Sequence, residues 1–343
     1  MHWCMLIIDG TERIPMTFQK QAVAATVLLL TVAVLVSCSQ WEQRDKRFYY
    51  RALWNFALRE DLKELDIEFN GVDFGHSNLY ENLLLTGARS VPAIEDGARK
   101  QTLRFIATRP RLNPNEEAIA PTYMKLAWKA QNTFDEAHAL HRGTYDIYVS
   151  EMKDRDAAIR KLLAFYRDSE YAITSKRLDH RRLDTLPYSR AFRRKFPLFN
   201  ATIWAYHYLQ VVVYDALRGA PDLIAKQQAV EPILRTYRGY LEKPPVEWTF
   251  MPMTAELSPQ FAEEYPEIAN IFDNLHMMHD TISDILVSEL LPTWEEKRQE
   301  IYRVTKAYYW ASADPTNPYI LKDDQSHEDH SMPGKGSKHQ ERP

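Results

Sequence analysis

One polar pattern occurs twice in this chain, and it constrains the fold more than any other feature. Phe134-Asp135-Glu136-Ala137-His138-Ala139-Leu140-His141 is followed by Asp146-Ile147. Phe272-Asp273-Asn274-Leu275-His276-Met277-Met278-His279 is followed by Asp284-Ile285. Both read F-D-x-x-H-x-x-H-x-x-x-x-D-I, 138 residues apart (272 − 134). On a helix, at about 100° per residue, Asp135, His138, His141 and Asp146 fall near 0°, 300°, 240° and 20°. They share one stripe about 140° wide, and Asp273, His276, His279 and Asp284 share its equivalent. A repeated stripe implies two equivalent helices. Burying so many titratable groups is costly unless they are paired or coordinated.

The rest of the chain reads as helix. Trp41 to Leu65 carries apolar residues at helical spacing, Asn70 to Ser77 reads as a turn cluster, and Leu79 to Leu85 as a short helix. Glu116 to Val149, tolerating Pro121 in its first turns, holds the first copy of the repeat. Asp154 to Lys176, Phe199 to Leu217 and Asp222 to Tyr240 follow as helices. Pro259 to Leu291 holds the second copy, and a last helix runs from Pro292 to about Trp310. Gly is scarce, at 10 residues, which disfavours architectures built on many tight β-turns. No stretch alternates as a strand would. The expectation is an all-α fold: a large antiparallel helical bundle with an internal duplicated helix motif.

The N-terminus carries an address. Ala22 to Val36 is an uncharged apolar run with Lys20 as its positive flank, short for a membrane span. It ends in Leu35-Val36-Ser37-Cys38, which resembles the lipobox of bacterial lipoproteins. The resemblance implies that Cys38 is diacylated through its sulfur and becomes the mature N-terminus, with fatty acyl chains such as palmitate holding the protein on a membrane. Ser39 rather than Asp in the next position implies outer-membrane sorting in a Gram-negative envelope. The alternative is a plain anchor helix with an incidental cysteine. Met16-Thr17-Phe18-Gln19-Lys20 fits a signal start better than Met1 does. The expected division is residues 1–38 as signal, 39–312 as one all-α domain, and 313–343 as a polar disordered tail. Cys4 and Cys38 are the two cysteines, so the body of the protein has neither a disulfide framework nor a thiolate metal site.

The Asp-x-x-His pairs resemble, in ligand logic, the Glu-x-x-His pairs of ferritin-like di-iron and di-manganese bundles. Residues three apart point the same way, so one carboxylate oxygen and one imidazole nitrogen can grip one divalent metal. Asp135, His138, Asp273 and His276 are the expected first ligands. His141 and His279 are further ligands, and Asp146, Asp284 and His207 supporting partners. The metal would be iron, manganese or copper, as one or two ions, and the chemistry that of oxygen or redox. Glu60, Glu64 and Glu170 are candidates for the extra carboxylates. Met251, Met253, Met277 and Met278 would favour copper. Paired histidines could instead hold non-covalent haem. The competing readings are a structural Asp/His network in a non-enzymatic scaffold and catalysis without metal.

Two further features have bland explanations available. Lys176 to Lys195 is rich in Lys and Arg and suits docking to anionic head groups or an acidic partner, or simply a solvated loop. His327, His330 and His339 lie in the polar tail. A formal net charge of −4 and an envelope address argue against nucleic acid as a partner.

Overall fold

The computed structural model describes residues 50–85, 90–179, 185–247 and 250–309. The lipobox, Cys38, the 313–343 tail and its histidines lie outside them. From Ala52 onward the described residues belong to one compact unit. They form helices α1 (Ala57–Asp61), α2 (Lys63–Leu84), α3 (Val91–Ala107), α4 (Glu116–Ile119), α5 (Pro121–Val149) and α6 (Arg155–Arg167). These are followed by α7 (Ala191–Lys195), α8 (Pro197–Gly219), α9 (Leu223–Glu242), α10 (Thr254–Leu257), α11 (Pro259–Glu264), α12 (Pro266–Val287) and α13 (Trp294–Tyr308). Among the described residues there is no strand, apart from one isolated bridge between Ile173 and Tyr309. The all-α class expected from periodicity is what forms. No described helix is long and apolar enough to cross a membrane.

Several helix boundaries come from proline. Pro121, Pro197, Pro259 and Pro266 each open a helix. A proline has no N–H to donate and forces its predecessor out of the helical region. Ala120, Phe196, Ser258 and Tyr265 accordingly sit at φ −120°, −128°, −137° and −130°. The stretch read as one helix from Pro259 to Leu291 is therefore two, joined at Tyr265. The Glu116 helix breaks at Ala120 and kinks at Ala127.

Asn70 to Ser77 is not a turn but the middle of α2. Gly71 and Gly75 are there for close packing. A Cβ on Gly75 would lie 2.4 Å from the Tyr206 ring and hydroxyl, and one on Gly71 would lie 2.4 Å from Ile106. The two glycines bring α8 and α3 against α2.

The order of elements recurs. Helices α1, α2, α4 and α5 reappear as α7, α8, α10 and α11–α12, starting 134 (191 − 57), 134 (197 − 63), 138 (254 − 116) and 138 (259 − 121) residues later. Carboxylates fasten both series in the same way. Asp146 accepts from the N–H of Phe56 (3.1 Å) and Leu58 (2.8 Å), and Asp284 from Arg190 and Phe192 (both 2.7 Å). Phe56 and Arg190 both hold positive φ, 73° and 66°. That costs a side-chain-bearing residue about 1–2 kcal/mol, offset here by paired N–H donors on a buried carboxylate. Glu81 receives the N–H of Thr122 and Tyr123 (2.9 and 3.1 Å), and Asp215 those of Gln260 and Phe261 (3.0 and 2.8 Å). Asp146 and Asp284, expected beside a metal, are thus helix fasteners.

Candidate metal centre

Helices α2, α5, α8 and α12 pack around one interior, and all six histidines of the described residues are buried there. None of His76, His138, His141, His207, His276 and His279 is more than 4% exposed. Their rings form a connected chain. His141 and His276 are 6.0 Å apart, His276 and His207 3.9 Å, His207 and His76 5.2 Å, His76 and His279 4.3 Å, and His279 and His138 5.7 Å.

Two triads within this group present ligand atoms that lie within 4.8 Å of one another: His76, His207 and His279, and Asp73, Glu116 and His138. In the second triad His138 Nδ1 stands 3.6 Å from Asp73 Oδ1 and 3.6 Å from Glu116 Oε1. That is too long for a hydrogen bond. It suits donor atoms that share an ion at about 2.0–2.2 Å each, whose mutual separations are about 3.0–3.6 Å. The supporting bonds fall on the other oxygen of each carboxylate, and Asp135 also hydrogen-bonds to the Glu116 side chain. Glu116 is held through Oε2 by Ser77 Oγ (2.6 Å) and Gln131 Nε2 (2.5 Å). Gln131 also donates to Asp135 Oδ1 (2.7 Å). Asp73 meets Arg142 through Oδ2 at 3.5 Å, and its Oδ1 accepts no hydrogen bond.

The imidazole triad is oriented in the same manner. Tyr80 Oη lies 2.8 Å from His279 Nδ1, and Met251 Sδ 3.2 Å from His207 Nδ1. Both partners leave the Nε2 edge for the interior, and His207 Nε2 meets His76 Nε2 at 3.2 Å. His76 Nδ1, both nitrogens of His138, and Nε2 of His141 and of His279 are buried without a hydrogen bond. Neither nitrogen of His276 makes a well-formed one, the Pro252 carbonyl only weakly favouring its proton. A buried polar atom left unpaired costs about 1–3 kcal/mol. Such a concentration at one place calls for a shared partner, an ion or ordered water.

Protonation follows burial and charge. Burial, then the neighbouring imidazoles, pushes His76, His141, His207 and His279 well below the ordinary histidine range, and His276 down to about 3. At neutral pH these rings are neutral, the state that binds metals. His138 is different: burial opposes its charge, but Glu116 and Asp73 outweigh burial and hold it above the usual value. Burial lifts Asp73 to about 6, despite His138 and Arg142 beside it. Asp135 is pushed well up by burial and the charge of Glu116. The carboxylates beside His138 thus favour its protonated form.

The repeat therefore contributes His138, His279 and the flanking Asp135, but its members do not serve alike. Asp273 accepts at Oδ1 from the N–H and hydroxyl of Thr254, both at 2.7 Å, and joins neither triad. His207 is a ligand candidate rather than a supporting residue. Among the carboxylates suggested earlier, Glu64 pairs with Arg109 and Arg238 at the surface. The carboxylates that do converge are Asp73 and Glu116. The described part of the basic segment partly turns inward, with Arg193 buried against Asp280. Comparison with protein families, curated proteins and solved structures found no match.

Proposed function

We propose that this is a metalloprotein whose α-helical body holds a buried carboxylate–imidazole centre for divalent iron or manganese. Asp73, Glu116 and His138 would hold one ion, and His76, His207 and His279 a second. The observation that carries this reading is the pair of 3.6 Å separations around His138 Nδ1, in a pocket where the remaining donors are fixed by other bonds. Two ionisable carboxylates beside one imidazole suit a hard, doubly charged ion. When bound, such an ion supplies Lewis-acid or one-electron chemistry. The chain's own part is to keep five imidazoles neutral, to fix the ligand edges through Tyr80, Met251, Ser77 and Gln131, and to exclude bulk water by burial. Through Cys38 the chain would be acylated and held on an envelope membrane; loss of acyl labelling and of membrane retention in Cys38→Ala tests that part.

The metal reading is tested on the full chain purified without a polyhistidine tag. Stoichiometric metal that is lost in Asp73→Asn and Glu116→Gln supports it. A second reading has one specific observation in its favour: His76 and His207 at 3.2 Å can share a proton as a hydrogen bond. The centre would then be a structural network in a scaffold lipoprotein. Protein that folds stably and takes up no added Fe, Mn, Cu or Zn would establish this reading instead.

A further inference from the structure

We infer that the chain is a tandem duplication of one helical unit, and that His141 and His276, the mates of His279 and His138, form an all-imidazole site for monovalent copper. The inference rests on the reading above in taking unpaired buried imidazole nitrogens as ligands.

The geometry of the two halves agrees ring by ring. In one half Tyr80 Oη meets His279 Nδ1 at 2.8 Å, and in the other Tyr214 Oη meets His141 Nδ1 at 2.8 Å. Phe134 stacks on His279 at 4.0 Å and 18°, and Phe272 on His141 at 3.4 Å and 12°. Tyr80 and Phe134 are 5.7 Å apart at 10°, Tyr214 and Phe272 5.6 Å at 10°. Tyr80 stacks on Tyr123 at 4.6 Å, Tyr214 on Phe261 at 4.0 Å. His138 and His279 are 5.7 Å apart, and their mates His276 and His141 6.0 Å. Each ring pair joins the first histidine of one repeat to the second histidine of the other.

The mates differ in charge, and that sets the ion. The positions of Asp73 and Glu116 in the first half correspond to His207 (207 − 73 = 134) and Thr254 (254 − 116 = 138) in the second. Thr254 carries no charge and ties up Asp273. The pocket at His141 and His276 therefore lacks counterparts of the Asp73 and Glu116 carboxylates. The cost of burying an ion rises with the square of its charge, so a monovalent ion costs about a quarter as much as a divalent one of equal size. Neutral imidazoles with a buried thioether close by suit a soft monovalent cation. Met251 Sδ lies against His207, whose ring stacks on His276 at 3.9 Å. His141 is held by Tyr214 with its Nε2 unpaired, so the ligand edge is already aimed.

The test uses the full chain without a polyhistidine tag. Copper(I) is titrated anaerobically against bicinchoninate, and cobalt(II) is titrated in parallel as a probe of the carboxylate pocket. His141→Phe, which keeps a flat ring against Phe272, is expected to weaken copper(I) at least 100-fold and leave cobalt(II) unchanged; Glu116→Gln is expected to do the reverse. Tyr214→Phe, which keeps all ring packing, weakens copper(I) about 10–100-fold and stands in should His141→Phe fail to fold. Copper(I) binding that is absent in the wild type, or unchanged in both His141→Phe and Tyr214→Phe, overturns the inference. If cobalt(II) still binds and one equivalent is lost in Glu116→Gln, the carboxylate centre survives that failure. If neither ion binds, both readings fall.

Discussion

The Tyr80 hydroxyl lies 2.8 Å from Nδ1 of His279 and within 3.3 Å of the same residue's carbonyl oxygen. The phenol can accept from Nδ1–H while donating to the carbonyl, which fixes the ring and leaves its Nε2 lone pair unpaired. Tyr80→Phe keeps the stacking on Tyr123 and Phe134 but frees the tautomer. It is expected to reduce metal affinity about 10–100-fold while costing about 0.5–1.5 kcal/mol of stability. A chelator-competition assay beside a urea melt checks both numbers.

Gly75 and Gly97 make an internal contrast. Both lie inside helices, but a Cβ at Gly75 meets Tyr206 at 2.4 Å, whereas one at Gly97 meets nothing within 4 Å. Tyr206 is pinned by a 3.1 Å bond to Thr102 and sits edge-on to His76 at 5.3 Å. Gly75→Ala should therefore destabilise by about 1–3 kcal/mol and weaken metal binding, since His76 rides on the displaced helix. Gly97→Ala should stabilise by about 0.5–1 kcal/mol with metal content unchanged. Thermal melts and elemental analysis of the two variants decide.

Asp284 separates a fastener from a ligand. Asp284→Ala abandons the N–H groups of Arg190 and Phe192, and a loss of about 1–3 kcal/mol with metal retained is expected. Its pH behaviour has a definite sign. Burial, and then the charge of Asp280, raises its carboxyl to about 7 in the folded protein, against an ordinary 3.8. A raised folded value means that its contribution is full below about pH 4 and is lost as pH rises through about 7. Asp284→Asn cannot ionise, so the fall in stability between pH 5 and pH 8 should be smaller in this variant than in the wild type, as read from urea midpoints at each pH.

Much of the molecule was legible in the sequence, and the rest was hidden for identifiable reasons. Helical periodicity and scarce glycine gave the all-α class, and the repeated stripe pointed to α5 and α12, which carry four of the six buried histidines. Asp73 and His76 were masked because Asn70, Gly71 and Gly75 resemble a turn, while in the fold these glycines admit Ile106 and Tyr206. Glu116 looked like an ordinary acidic helix start; only Ser77 and Gln131, distant in sequence, reveal its role. Asp146, Asp273 and Asp284 matched a ligand pattern because helical spacing says where a side chain faces, not which backbone N–H groups lie opposite. The wider recurrence is hidden in the sequence because paired positions keep a task rather than an identity: Glu81 and Asp215 both fasten a following helix, and Tyr123 and Phe261 both stack on a tyrosine.

The most direct measurement is elemental analysis of the untagged full chain beside Asp73→Asn and His76→Phe, with circular dichroism to verify folding. The account predicts stoichiometric iron or manganese in the wild type, loss of one ion in Asp73→Asn, and loss of the second when His76→Phe is added. A wild-type protein that is fully helical, thermally stable and free of metal after incubation with both ions would contradict it.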